Sequence, residues 1–156
     1  MEILGDFKTS VERALEEIEP QYKNLRGLVI CGTHSPVVGE VSLLIEKIKY
    51  ARLDGKPYLG ICYGHQLAAV EYARNVLGIG DATSEELGEG THVVKKRADL
   101  NVGLRDGETY WNNYEVVIET KHPTHFITTQ FHPEYQSSIG KPHPILKEFI
   151  ELCKSR

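Results

Sequence analysis

The segment Leu59-Gly60-Ile61-Cys62-Tyr63-Gly64-His65-Gln66 constrains the fold of this chain more than any other stretch. An apolar run, Pro57-Tyr58-Leu59-Gly60-Ile61-Cys62, passes without a linker into a helical pattern over residues 64–77, stopped by Gly78. A strand that turns at once into a helix, with glycine on either side of the turning residue, is the geometry of a nucleophile elbow, most often built around serine. Glycines at 60 and 64 remove side chains that would clash in so sharp a turn, and the turning residue is left strained. Here that residue is Cys62. Its sulfur would lie at a helix N-terminus, where unpaired N–H groups and the helix dipole favour thiolate over thiol. The Tyr63 N–H would point to where an oxyanion forms. A lone cysteine in an apolar strand is ordinarily a small buried residue; paired glycines at a strand-to-helix junction turn the reading toward chemistry.

The surrounding pattern is that of an α/β fold. Glu2 to Leu4 is a short strand candidate, and Ser10 is expected to cap a helix carrying Val11, Ala14, Leu15 and Ile18 at helical spacing. Gly27-Leu28-Val29-Ile30-Cys31 has the look of a buried strand. Residues 32–39 form a loop punctuated by Pro36 and two glycines, and a second helix follows over about residues 40–53. Strands alternating with helices imply a mostly parallel sheet flanked by helices. The second half changes style. His92-Val93-Val94-Lys95, Val102-Gly103-Leu104, residues 114–119 and residues 125–129 resemble shorter, more polar strands, which predicts that part of the sheet is antiparallel. Pro144 then opens a last helix through Ile145, Leu146, Phe149, Ile150 and Leu152.

A thiolate nucleophile needs a base, and the base needs an orienting acid. Thr128-Thr129-Gln130-Phe131-His132-Pro133-Glu134-Tyr135 offers both. His132 and Glu134 are two residues apart, and in an extended segment that spacing points both side chains to one side. The chain has seven histidines, so a single one carries little weight before its context. His122 and His125 are expected to be exposed loop residues, since their spacing lacks a carboxylate-backed metal pattern. His34 and His65 lie close to the predicted cleft. Tyr110, Trp111 and Tyr114 are expected to pack on the sheet.

Composition excludes several classes. The chain has 156 residues, the length of one domain, and a net charge of −4 with scattered Lys and Arg. That argues against nucleic acid or an anionic membrane as the main partner. No apolar run approaches a membrane span, and no leader is expected at the N-terminus. Three cysteines without a CxxC argue against a disulfide framework or a thiolate zinc site, and suit free thiols in a cytoplasmic protein.

With both segments in view, the chain resembles the class I glutamine amidotransferases, and among them the glutaminase domain of CTP synthase. Gly60-Ile61-Cys62-Tyr63-Gly64-His65-Gln66 is similar to their nucleophile motif, and Gln130-Phe131-His132-Pro133-Glu134 to their His-Pro-Glu motif. Glu71-Tyr72-Ala73-Arg74-Asn75-Val76-Leu77-Gly78 and Asp81-Ala82-Thr83-Ser84-Glu85-Glu86 extend the likeness over nearly the whole chain. The resemblance implies a stand-alone, shortened domain over residues 1–156 with a flavodoxin-like three-layer fold. It implies that Cys62 attacks the γ-amide of glutamine, that His132 serves as base and then acid, and that Glu134 orients it. It further implies oxyanion donors at Gly32, Thr33 and Tyr63, and glutamine-holding positions at Gln66 and Glu86. No cofactor or metal is implied, and the ammonia acceptor would be a separate synthase subunit.

Two positions depart from the family pattern. Cys31-Gly32-Thr33-His34-Ser35 stands where these domains have Pro-Gly-Gly-Phe-Gly, so Thr33 replaces a glycine. Asn113, before Tyr114-Glu115-Val116, stands where they have an arginine that pairs with the glutamine α-carboxylate. Two alternatives therefore stay open: a different γ-glutamyl or other amide as substrate, and a binding or regulatory subunit without turnover.

Overall fold

The computed structural model describes residues 1–33, 38–97, 103–105, 109–111 and 114–156. Its core is a four-stranded, wholly parallel sheet. The strands are β1 (Glu2–Leu4), β2 (Leu28–Ile30), β3 (Tyr58–Ile61) and β9 (Phe126–Thr129), side by side in the order β1-β2-β3-β9. Four helices cover it: α1 (Lys8–Ile18), α2 (Val38–Leu53), α3 (Tyr63–Asn75) and α4 (Pro144–Ser155).

Period-two alternation along the strands sorts them into three layers. Leu28, Ile30, Tyr58 and Phe126 pack with Ile45, Ile48 and Ala51 of α2 and with Leu67, Ala68 and Val70 of α3. Val29, Leu59 and Ile61 face the other way, onto Val11, Ala14 and Leu15 of α1 and Leu146, Phe149 and Ile150 of α4. α1 and α4 are amphipathic with one buried stripe each, whereas α3 is buried along almost its whole length. Its buried Glu71 is paired with Arg52 of α2, at 2.9 Å from Nε to Oε1. The outer face of α3 is closed by a small sheet of β4 (Ala82–Ser84), β5 (Thr91–Lys96) and β8 (Tyr114–Val116), whose Ala82, Val93 and Val94 join the same cluster. β6 (Gly103–Arg105) and β7 (Thr109–Trp111) form a separate antiparallel pair.

The predicted parallel, helix-flanked architecture is present, with corrections. Antiparallel pairing occurs, but in the small sheets: β5 with β8 and β6 with β7. The last central strand, β9, runs parallel to β3, because the chain crosses over through α3 and the small sheet before returning. β4 is a strand, where the sequence showed only a family match. Ser10 does not cap α1. The helix starts three residues earlier, after Phe7, because Gly5 at φ 121° turns the chain sharply out of β1 and the Phe7 N–H bonds the Gly32 carbonyl.

Candidate active site

The C-terminal ends of β2, β3 and β9 lie next to one another, and each delivers one predicted site residue. Gly32 follows β2, Cys62 follows β3, and His132 follows β9. In open parallel sheets, ligand sites form at this edge of the strands.

Cys62 adopts φ 55°, ψ −99°, the one positive φ at a non-glycine position among the described residues. An L-residue there costs on the order of 1–3 kcal/mol and persists only when its surroundings hold it. The holding contacts are visible. The Cys62 N–H donates to the Thr129 carbonyl at 2.7 Å, and the Cys62 carbonyl accepts the first α3 bond from Gln66 at 3.1 Å. The flanking glycines act by close approach. A Cβ on Gly64 would lie 2.0 Å from the Ile30 carbonyl oxygen, and one on Gly60 would lie 2.7 Å from the Gly64 carbonyl oxygen. That Gly64 oxygen accepts a buried hydrogen bond from the Tyr58 hydroxyl at 2.8 Å. Cys62 is buried, at 7% exposed.

His132 and Glu134 are buried together, and His132 Nδ1 lies 2.6 Å from Glu134 Oε1. The expected route to this contact needs correction. His132 is extended, at φ −102°, ψ 90°, but Glu134 sits in a 3-10 turn, Pro133–Gln136, so the pair does not project from a continuous strand. Pro133 occupies the first position of that turn, where its fixed φ and missing N–H cost nothing. The imidazole is clamped on both sides. Tyr135 stacks on it at 5.1 Å, and Phe7 meets it edge-on at 5.5 Å. A Cβ on Gly32 would come within 2.7 Å of His132 Cε1, so Gly32 is required to admit the ring.

Thr33 is held by its side chain, whose hydroxyl donates to Asp6 Oδ2 at 2.6 Å. Tyr63 begins α3, and its N–H is among the first-turn donors that no helix can satisfy internally. Its buried hydroxyl has no hydrogen-bond partner among the described residues. Burial, and next the charges of Glu86 and Glu40, push that phenol up to about 12. Glu86 itself is exposed, its N–H donating to Ser84 Oγ at 3.2 Å. Gln66 is 1% exposed, and among the described residues neither its amide nitrogen nor its amide oxygen has a hydrogen-bond partner. Buried polar groups are normally paired, so this amide stands out among the buried side chains. Asn113, and His34 of the loop after Thr33, lie outside the described residues. A cleft of about 390 Å³ opens beside Thr33 and Tyr63, with Leu4, Ile30 and Leu44 on its walls.

The other thiols are structural. Cys31 ends β2, and burial followed by the Glu134 charge pushes it up to about 12; burial does the same to Cys153 in α4. His122 and His125 are not the exposed loop residues the spacing suggested. His125 is buried beside Phe126, with Nε2 3.2 Å from the Ala51 carbonyl, and His122 packs on Tyr72 and Phe126. Gln130 carried no individual role in the sequence reading. Its amide nitrogen reaches Cys62 Sγ at 3.7 Å, across 68 positions of chain.

His65, three residues past Cys62, places Nδ1 3.0 Å from Thr128 Oγ1 on β9. Burial, and then the charge of His122, hold this imidazole down at about 4. Because the folded value lies below the unfolded one of about 6.5, the ring's contribution is complete above pH 6.5. It is lost as the pH falls toward 4. Acidification from pH 7 to 4.5 should therefore cost the wild type about 2–3 kcal/mol through this group alone. His65→Gln should show a correspondingly smaller fall in urea-unfolding free energy over that interval. Equal falls in both proteins would exclude His65 as a source of acid lability.

The family model for Glutamine amidotransferase class-I matches residues 6–120. The chain belongs to the class I glutamine amidotransferase family. CTP synthase of Methanoculleus marisnigri is 36% identical over 162 residues, covering 70% of this chain and 31% of that protein. CTP synthase of Methanoregula boonei is 30% identical over 163 residues, covering 71% and 31%. The chain thus spans about a third of the length of the curated relatives it matches. The Trypanosoma brucei CTPS glutaminase domain with bound acivicin aligns over 100% of this chain and 95% of its own, with TM-score 0.74 and 19% identity, and so has the same fold. The amidotransferase match ends before β9, so the placement of His132 and Glu134 rests on the geometry above.

Proposed function

We propose that this amidotransferase domain hydrolyses the side-chain amide of glutamine through a thioester on Cys62. The observation that carries the reading is the meeting of a strained cysteine, at the N-terminus of α3, with a segment that brings in a buried, carboxylate-oriented imidazole. The Cys62 thiolate attacks the γ-carbonyl carbon, and the oxygen takes up the negative charge against the Tyr63 N–H and the Gly32 and Thr33 N–H groups. The C–N bond then breaks. His132, having taken the thiol proton, gives it to the departing nitrogen, and ammonia leaves. Water attacks the thioester while His132 accepts its proton, releasing glutamate and restoring the thiol. Glu134 holds the ring in one tautomer and stabilises its protonated form.

Gln66, buried with both amide atoms unbonded, and Glu86 hold the amino-acid end of the substrate. Asn113, standing where the family has an arginine, offers no charge to the α-carboxylate. Replacing a charge-assisted contact by a neutral one weakens binding by on the order of 1.5–3 kcal/mol. That favours a second reading, a γ-glutamyl compound with a different or blocked carboxylate. Ammonia would pass to a separate synthase subunit.

The test is glutamate release from glutamine, with acivicin, the ligand named for the Trypanosoma relative, as a covalent probe read by the mass of the Cys62 peptide. Turnover with labelling at Cys62 is expected. Labelling without glutamine turnover would move the assignment to another amide. Neither turnover nor labelling would leave a binding or regulatory subunit.

A further inference from the structure

We propose that Gln130 supplies a hydrogen bond to the Cys62 sulfur that favours the thiolate and fixes it in the rotamer facing the imidazole. The proposal deepens the amidase reading and rests on it. Its basis is how one short segment attends to the nucleophile from successive residues. β9 runs parallel to β3, with Thr129 opposite Ile61. The Thr129 carbonyl takes the Cys62 N–H at 2.7 Å and so fixes where the elbow ends. The next residue, Gln130, leaves the strand and points its amide nitrogen at Sγ, 3.7 Å away, an ordinary length for N–H···S. Two residues on, His132 stands on Glu134. The Thr129 hydroxyl donates to the Phe131 carbonyl at 2.9 Å, bracing the turn that aims Gln130.

A thiolate accepts such a bond far better than a thiol, because a charged acceptor roughly doubles the strength of a hydrogen bond. The helix N-terminus and the protonated imidazole favour the anion through charge. The amide adds direction, which matters for a side chain mounted on so strained a backbone. Titratable groups on the elements packed around the site are His132 and Glu134 on the same segment, Tyr63 and His65 on α3, Cys31 at the end of β2, Asp6 in the β1–α1 turn and His143 before α4. Cys31 and Tyr63 are pushed up to about 12 and His65 down to about 4, so none of these three changes charge between pH 5 and 9. An inflection in sulfur reactivity within that window therefore does not come from these three groups.

The experiment is the pH profile of iodoacetamide alkylation, followed by the mass of the Cys62 peptide, on the full chain and on Gln130→Ala and Gln130→Glu. Circular dichroism and melting temperature serve as the check on folding. Gln130→Ala should raise the apparent pKa of alkylation by about 0.5–1 unit and slow alkylation at pH 6 three- to tenfold. Gln130→Glu removes the donor and adds a negative charge, and should raise it further. Profiles of both folded variants that superimpose on the wild type would overturn the proposal, whatever the glutamine turnover. A shifted profile in a chain that does not turn over glutamine would uphold the contact and overturn glutamine as the substrate instead, so the two failures are distinguishable.

Discussion

Cys62→Ala is expected to release glutamate from glutamine more slowly than the wild type by a factor on the order of 10⁵–10⁶, the scale on which loss of a covalent nucleophile registers. His132→Ala should fall by a similar factor, and the double variant should be little worse than either, because nucleophile and base act as one unit. A third substitution tests the backbone. At φ 55°, ψ −99° the conformation at position 62 suits glycine and strains alanine. Cys62→Gly should therefore be as inactive as Cys62→Ala but more stable to urea by about 1–2 kcal/mol. Strain relieved by the residue that abolishes chemistry is what a site held for function predicts. Glutamate release from Cys62→Ala within tenfold of the wild type would remove the nucleophile from the mechanism. Equal stabilities of the alanine and glycine variants would remove the strain from it.

The parts of this site legible in the sequence were those whose physics is local. Gly60-x-Cys62-x-Gly64 announces a turn that only glycines permit, and the structure places Cys62 in that turn. His132 and Glu134 are near neighbours in the chain, so their contact needed only a short turn, although that turn is 3-10 and not extended. Contacts closed by the parallel crossover were not legible. The reach of Gln130 to Cys62 exists because β9 returns beside β3 after the whole small sheet has been laid over α3. The packing of Phe7 on His132 likewise joins the start of α1 to the segment after β9 and could not be read from either stretch alone.

Burial was misjudged where polar residues found partners late in the chain's path. His125 and His122 looked like loop histidines because they sit among polar residues. The fold instead gives His125 the Ala51 carbonyl at the end of α2 and packs His122 on α3 and β9. Gln66 shows the converse. From sequence its role came only from the family resemblance, and its burial with no hydrogen-bond partner among the described residues is visible only in the fold. Most strands of the second half were recognisable as shorter and more polar, but that character does not say which sheet a strand joins or in which direction, and Phe126–Thr129 runs parallel in the central sheet.

Gly64→Ala is the substitution with the largest expected effect on stability. The methyl would sit 2.0 Å from the Ile30 carbonyl oxygen and 2.9 Å from its carbon, so the obstacle is main chain of a central strand and cannot be relieved by a rotamer change. Relief requires the start of α3 to lift from β2. That motion breaks the buried bond from the Tyr58 hydroxyl to the Gly64 carbonyl and displaces Tyr63 with its N–H. It also opens the contact between α3 and the cluster of Leu28, Ile30 and Tyr58. Losses of this kind exceed about 4 kcal/mol, a large share of a domain's whole stability, so Gly64→Ala should be insoluble or unfolded at 25 °C. Gly39→Ala is the matched control. It also lies in the first turn of a helix on this sheet, but its added Cβ would meet nothing within 4 Å. It should change the urea-unfolding free energy by no more than about 0.5 kcal/mol. A folded, active Gly64→Ala would mean that α3 is not seated directly on β2. Cys62 would then be held at the strand end by its N–H bond to the Thr129 carbonyl.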